Sequence, residues 1–229
     1  MENVLSQNLL IQSLQRSYVS AAHSANPTSK PNSTLTEETS LNGTYKVHCS
    51  DEAATAALVQ SLAQALSASI NFQASQSPAA AHLHISLQGD LGSGKTTAVR
   101  YLLKELGYTG KVKSPTYSLC EPHILQINQH AIHLYHFDFY RMQSPSEWIE
   151  AGLQEHFTSH EPTICIVEWP EKAGNTLPLM DLGIEIQDNS GGDRHEHERQ
   201  VTFHANTPSG QELLKNLVNR LDSKAQTPN

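Results

Sequence analysis

The stretch "GDLGSGKTTAVRYLL", residues 89–103, decides the fold. Glycines at 89, 92 and 94 run into Lys95, Thr96 and Thr97, and then into Val99, Leu102, Leu103 and Leu106, an apolar pattern at helical spacing closed by Gly107. The preceding "HLHISLQ", residues 82–88, reads as a strand. A glycine-rich turn between strand and helix that fits G-x-x-x-x-G-K-[ST] is a phosphate-holding loop. Its backbone N–H groups are free because they start a helix, and the helix dipole favours an anion there. Gly89, Gly92, Ser93, Gly94, Lys95, Thr96 and Thr97 are therefore the candidate nucleotide-binding residues. In such a loop the lysine reaches the β- and γ-phosphates and the first threonine hydroxyl is placed to ligate magnesium.

Phosphoryl transfer with magnesium also needs carboxylates beside the phosphates. Two further strands each end in one: "AIHLYHFDFYR", residues 131–141, delivers Asp138, and "TICIVEW", residues 163–169, delivers Glu168. The second is an uninterrupted apolar run of the kind found in a sheet covered on both faces. Both acids fall at strand carboxyl ends, the edge where open α/β sheets bind ligands. One acid can hold the metal and the other orient the attacking group, and the residues alone leave the division open.

Around this centre, Tyr45–Cys49 reads as a short strand, and Ser50 caps a helix whose buried stripe is Leu58, Leu62 and Leu66, with 71–80 as a loop. "PSEWIEAGLQEHF" supplies helical segments between the two acid-bearing strands. "LGIEIQ" and "RQVTFHA" read as strands and "PSGQELLKNLVNRL" as a final helix. Alternating strands and helices give an α/β fold, P-loop NTPase-like, with a mostly parallel central sheet flanked by helices and added C-terminal strands. Residues 1–44 form a disordered N-terminal extension in this reading, because 19–44 are Ser, Thr, Asn, Ala and Pro with too little apolar surface to offset ordering entropy. Residues 45–225 form the P-loop ATPase domain.

Composition narrows the function. The 229-residue chain carries a formal charge of −8 with no block of Lys or Arg, so a nucleic acid would be held by a partner rather than directly. Its 3 cysteines are scattered without a CxxC pair, which fits a reducing compartment and argues against both a disulfide framework and a zinc site. The histidines, His82, His84, His195, His197 and His204 among them, lack companions at zinc-ligand spacing. No run of about 18 apolar residues suggests a membrane span and no leader pattern is convincing, with a transit peptide a minor alternative; the expected cytoplasmic location rests on this together with the resemblance carried by four sequence blocks. "DNSG", residues 188–191, mimics a GTPase switch, but the absence of N-K-x-D favours ATP over GTP.

Four blocks in order, "GDLGSGKTT", "KVKSPTYSLCEP", "HFDFYR" and "VEWPEKAG", resemble the TsaE (YjeE) family over residues 45–222. The resemblance implies a small bacterial P-loop ATPase needed to form N6-threonylcarbamoyladenosine beside the tRNA anticodon. It also implies work with TsaB and TsaD, weak activity without them, and contact with tRNA only through them. Carried over by position, it implies catalytic roles for Asp138, Lys95 and Thr116, the last in a switch-like loop Ser114–Tyr117, and magnesium contacts from Thr96 and Glu168. Trp169 would pack near the nucleotide or a partner, or in the core. Two other readings stand beside it. A small-molecule or nucleoside kinase would use the same loop, although such kinases carry an arginine-rich lid and only Arg141 lies close to the proposed site. A non-catalytic nucleotide-binding module would make both acids incidental.

Overall fold

A computed structural model describes residues 35–40, 43–76, 81–113, 115, 118–189 and 198–225. Eight strands, β1 (Leu35–Ser40), β2 (Thr44–Cys49), β3 (His82–Gln88), β4 (Cys120–Ile127), β5 (His130–Asp138), β6 (Thr163–Glu168), β7 (Leu182–Asp188) and β8 (Arg199–Ala205), form one sheet in the order β1-β2-β8-β7-β3-β6-β5-β4. The helices are α1 (Glu52–Gln76), α2 (Lys95–Glu105), the one-turn α3 (Glu147–Glu150) and α4 (Pro208–Ala225). The centre of the sheet is parallel, β7 and β6 flanking β3 and β5 following β6, whereas β4 and the β8–β2–β1 flank pair antiparallel.

β6 shows why the centre must be parallel and covered. All six of its residues are buried, and the pleat sends Ile164 and Ile166 into one core and Cys165 and Val167 into the other. The first core is aliphatic, built from Leu83, Ile85, Leu87 and the inner faces of α1, α2 and α4. The second is aromatic: Phe137, Phe139, Trp148 and Phe157 pack under the short helical turns between β5 and β6. The same parity places His136, Asp138 and Glu168 on the α2 face, in line with Leu134 and Ile166.

Two expectations are corrected, and one strand absent from the sequence reading is added. The sheet begins ten residues before Tyr45, because Leu35–Ser40 pairs antiparallel with β2 inside the stretch read as an extension; the residues before it lie outside the described ones. The loop expected over 71–80 is helical as far as Gln76, which continues α1. That helix is long and apolar enough to cross a bilayer, and the reason is its burial between α2 and α4 in the aliphatic core. Finally, β4 carries no strand pattern that stands out, since Pro122 interrupts it; the structure tolerates that proline because β4 is the sheet edge and Pro122 is exposed.

Candidate phosphate-binding site

The loop between β3 and α2 sits at the carboxyl end of the central strand, and its glycines answer to two different constraints. Gly89 has φ +140°, and a Cβ there would stand 2.2 Å from the Ile186 carbonyl oxygen, so the loop presses against β7. Gly92 (φ +84°) and Gly94 (φ +107°) need the left-handed region, yet a Cβ on either would meet nothing within 4 Å. Buried Ser93 turns its hydroxyl inward with no partner among the described residues. Thr97 is exposed on the first turn of α2.

Lys95 is 4% exposed, and its ammonium donates to the Gly89 and Asp90 carbonyls at 2.7 and 2.9 Å, 3.9 Å from the centroid of the Trp169 ring. Burial pulls its pKa down, against the opposing fields of Glu168, Glu171, Asp138 and Asp90. The lysine expected at the phosphates is thus folded back on the loop that carries it, where two carbonyls and an aromatic face satisfy it.

The two acids arrive together. Asp138 and Glu168 are directly opposite in the parallel β5–β6 ladder, 4% and 2% exposed. The Glu168 carboxylate accepts the Thr96 hydroxyl at 2.9 Å on Oε2 and contacts His136 Nε2 at 2.7 Å on Oε1. Asp138 Oδ1 accepts the Tyr140 backbone N–H at 3.1 Å. After Glu168 the chain turns sharply: Trp169 adopts φ +58°, rare for a bulky residue, and its ring lies 5.0 Å from that of Tyr140. Trp169 is therefore both a wall of the site and a half-buried neighbour of the aromatic core.

Two residues that sequence reasoning missed complete the constellation. Arg199, at the start of β8, donates from Nε to the Ser93 carbonyl at 3.1 Å and from Nη1 to Asp188 at 3.0 Å, so the antiparallel flank grips the phosphate loop. Nothing local signals a contact spanning 106 residues. His136 had a signal, standing two residues before Asp138 in a strand and so on its face. Thr116, Ser114 and Tyr117 lie outside the described residues. Among the described residues, no three His, Cys, Asp or Glu side chains converge as a metal cluster. A hydroxyl and a carboxylate at a phosphate loop are nonetheless the hard oxygen donors that magnesium takes, with the rest of its shell from phosphates and water.

Comparisons with known proteins identify the family. The model of the family described as "Threonylcarbamoyl adenosine biosynthesis protein TsaE" matches residues 49–200. The tRNA threonylcarbamoyladenosine biosynthesis protein TsaE of Haemophilus influenzae is 36% identical over 135 residues, 59% of this chain and 78% of that protein. Its namesake from Bacillus subtilis is 40% identical over 121 residues, 53% and 68% of the two chains. The crystal structure of Bacillus subtilis YdiB superposes with a TM-score of 0.55 at 27% identity, covering 79% of this chain and 98% of that one. With the family match spanning the phosphate loop, both acids and the strands that present them, the chain belongs to the TsaE family.

Proposed function

We propose that the chain serves the biosynthesis of tRNA threonylcarbamoyladenosine as its ATPase subunit, binding ATP with Mg²⁺ and hydrolysing it in association with TsaB and TsaD in the cytoplasm. The observation that carries the chemistry is the convergence of Thr96, Glu168 and Asp138 on the open side of the loop. The names of the related proteins supply the pathway. The catalytic unit is the domain from residue 45 to 225, to which β1 adds an edge.

In this reading the N–H groups of Gly92–Thr97 bind the phosphates and Lys95 swings from the Gly89 and Asp90 carbonyls to the β/γ oxygens. Thr96 and Glu168 would hold the magnesium, which when bound neutralises charge developing on the phosphate oxygens. Asp138, fixed through the Tyr140 N–H, orients the attacking water, and Thr116 contacts the γ-phosphate. A sequence without a block of Lys or Arg fits a tRNA reached only through the partners.

ATP turnover by the purified chain, alone and with TsaB and TsaD, tests this, with Lys95→Ala as the blank. Stimulation by the partners that the blank abolishes is the expected result. Turnover indifferent to the partners, or stoichiometric phosphate transfer to a small hydroxyl substrate, would give the site to a kinase instead.

A further inference from the structure

The β5 side of the site contains a residue that packing does not explain. His136 is fully buried on the α2 face, in a row that runs Ile132, Leu134, His136 toward Asp138. An aliphatic side chain would serve the core there at lower cost, because a buried polar ring is unfavourable unless its nitrogens are bonded. Its Nδ1 has no partner among the described residues. What the imidazole does have is a 2.7 Å contact from Nε2 to Glu168 Oε1, between side chains 0% and 2% exposed.

We propose that His136 is a positioning residue that fixes the Glu168 carboxylate for the divalent cation. An ionised carboxylate only accepts, so Nε2 donates. Thr96 occupies the other oxygen at 2.9 Å, and the carboxylate is held at both ends by side chains from β5 and α2. The two holds differ in kind. The Thr96 hydroxyl gives its proton to Glu168 and keeps lone pairs for the cation, so its geometry must adjust as the metal arrives. His136 has no such second duty; its ring is locked by the strand and the surrounding core. It therefore sets the rotation of the carboxylate and the direction of the lone pairs left free. Partners of this type around metal-ligating carboxylates alter metal affinity about 10- to 100-fold when removed.

The inference rests on Glu168 as a cation ligand, and the test separates the two. Mn²⁺ is titrated into the full chain saturated with a non-hydrolysable ATP analogue, with free ion read by electron paramagnetic resonance; analogue affinity in EDTA is measured in parallel. His136→Leu should weaken Mn²⁺ binding about tenfold or more while metal-free nucleotide affinity holds, and His136→Gln, whose amide reaches the Nε2 position, should recover most of it. Glu168→Gln is the reference. If it weakens Mn²⁺ binding and His136→Leu does not, His136 is a packing residue and the inference fails alone. If Glu168→Gln leaves Mn²⁺ binding unchanged, the ligand assignment fails and the inference with it. Should His136→Leu not fold, His136→Gln is set against His136→Asn, too short to reach Glu168. Tighter Mn²⁺ binding by the Gln variant supports positioning, and equal binding overturns it.

Discussion

Neighbouring glycines in the phosphate loop do different work, and substitution should separate them. Gly89→Ala drives a Cβ into the Ile186 carbonyl at 2.2 Å, so the loop or β7 must move. The expected cost is about 2–3 kcal/mol of global stability, seen as a lower midpoint in urea unfolding. Gly92→Ala meets nothing within 4 Å, so only the left-handed backbone is strained, at about 1 kcal/mol. If the proposed function holds, its larger effect falls on ATP affinity, because the methyl would enter the space assigned to the phosphates; titration with a fluorescent ATP analogue should show it. Lys95 makes the same point differently. The motif predicts a phosphate lysine at Lys95, but its resting bonds to Gly89 and Asp90 follow from a loop curled tightly enough to offer two carbonyls.

At the scale of elements, the antiparallel flank is part of the site. β8 reaches the loop through Arg199, whose guanidinium bridges the Ser93 carbonyl, Asp188 and the Glu198 carbonyl. Arg199→Ala should leave the β7–β8 ladder intact and weaken ATP affinity about tenfold, since charged hydrogen bonds contribute roughly 1.5–3 kcal/mol and this one preorganises the loop. Calorimetric titration checks it, and Arg199→Lys should not restore affinity, as a single ammonium nitrogen cannot occupy both the Nε and the Nη1 positions from which the guanidinium donates. α2 answers to the core on its other side. Leu103 is fully buried in the aliphatic core, and Leu103→Ala should cost about 3 kcal/mol of stability through the cavity it opens. The strands bearing Asp138 and Glu168 were legible because their apolar runs are long. β4 was not, since an edge strand with a proline and alternating exposure carries a weak pattern that only pairing with β5 completes.

For the molecule as a whole, histidine burial sets the response to acid. His84, His123 and His156 all have pKa values lowered from the ordinary 6.5, chiefly by desolvation, which outweighs the opposing carboxylates of Asp181, Glu121 and Glu155 respectively. The unfolded chain binds these protons at higher pH than the folded one, so stability rises with pH across the window below 6.5 and is lost as pH falls through it. Thermal midpoints should drop between pH 7 and pH 5, before carboxylates titrate, and His123→Phe should flatten part of that slope. A midpoint insensitive to pH in this window would show that the buried rings are protonated without cost.

The sequence by itself determined the phosphate loop, the two acids, the α/β alternation and the family resemblance, because each is written in short-range spacing: a glycine pattern, a strand's length, an acid at its end. Tertiary structure decided which side chains stand together at those ends. The pleat put His136, Asp138 and Glu168 on the α2 face, parallel pairing of β5 with β6 set the acids side by side, and the return of β8 brought Arg199 to the loop. Such contacts depend on register between strands distant in the chain, and register is fixed only when the two cores on either side of the sheet are packed.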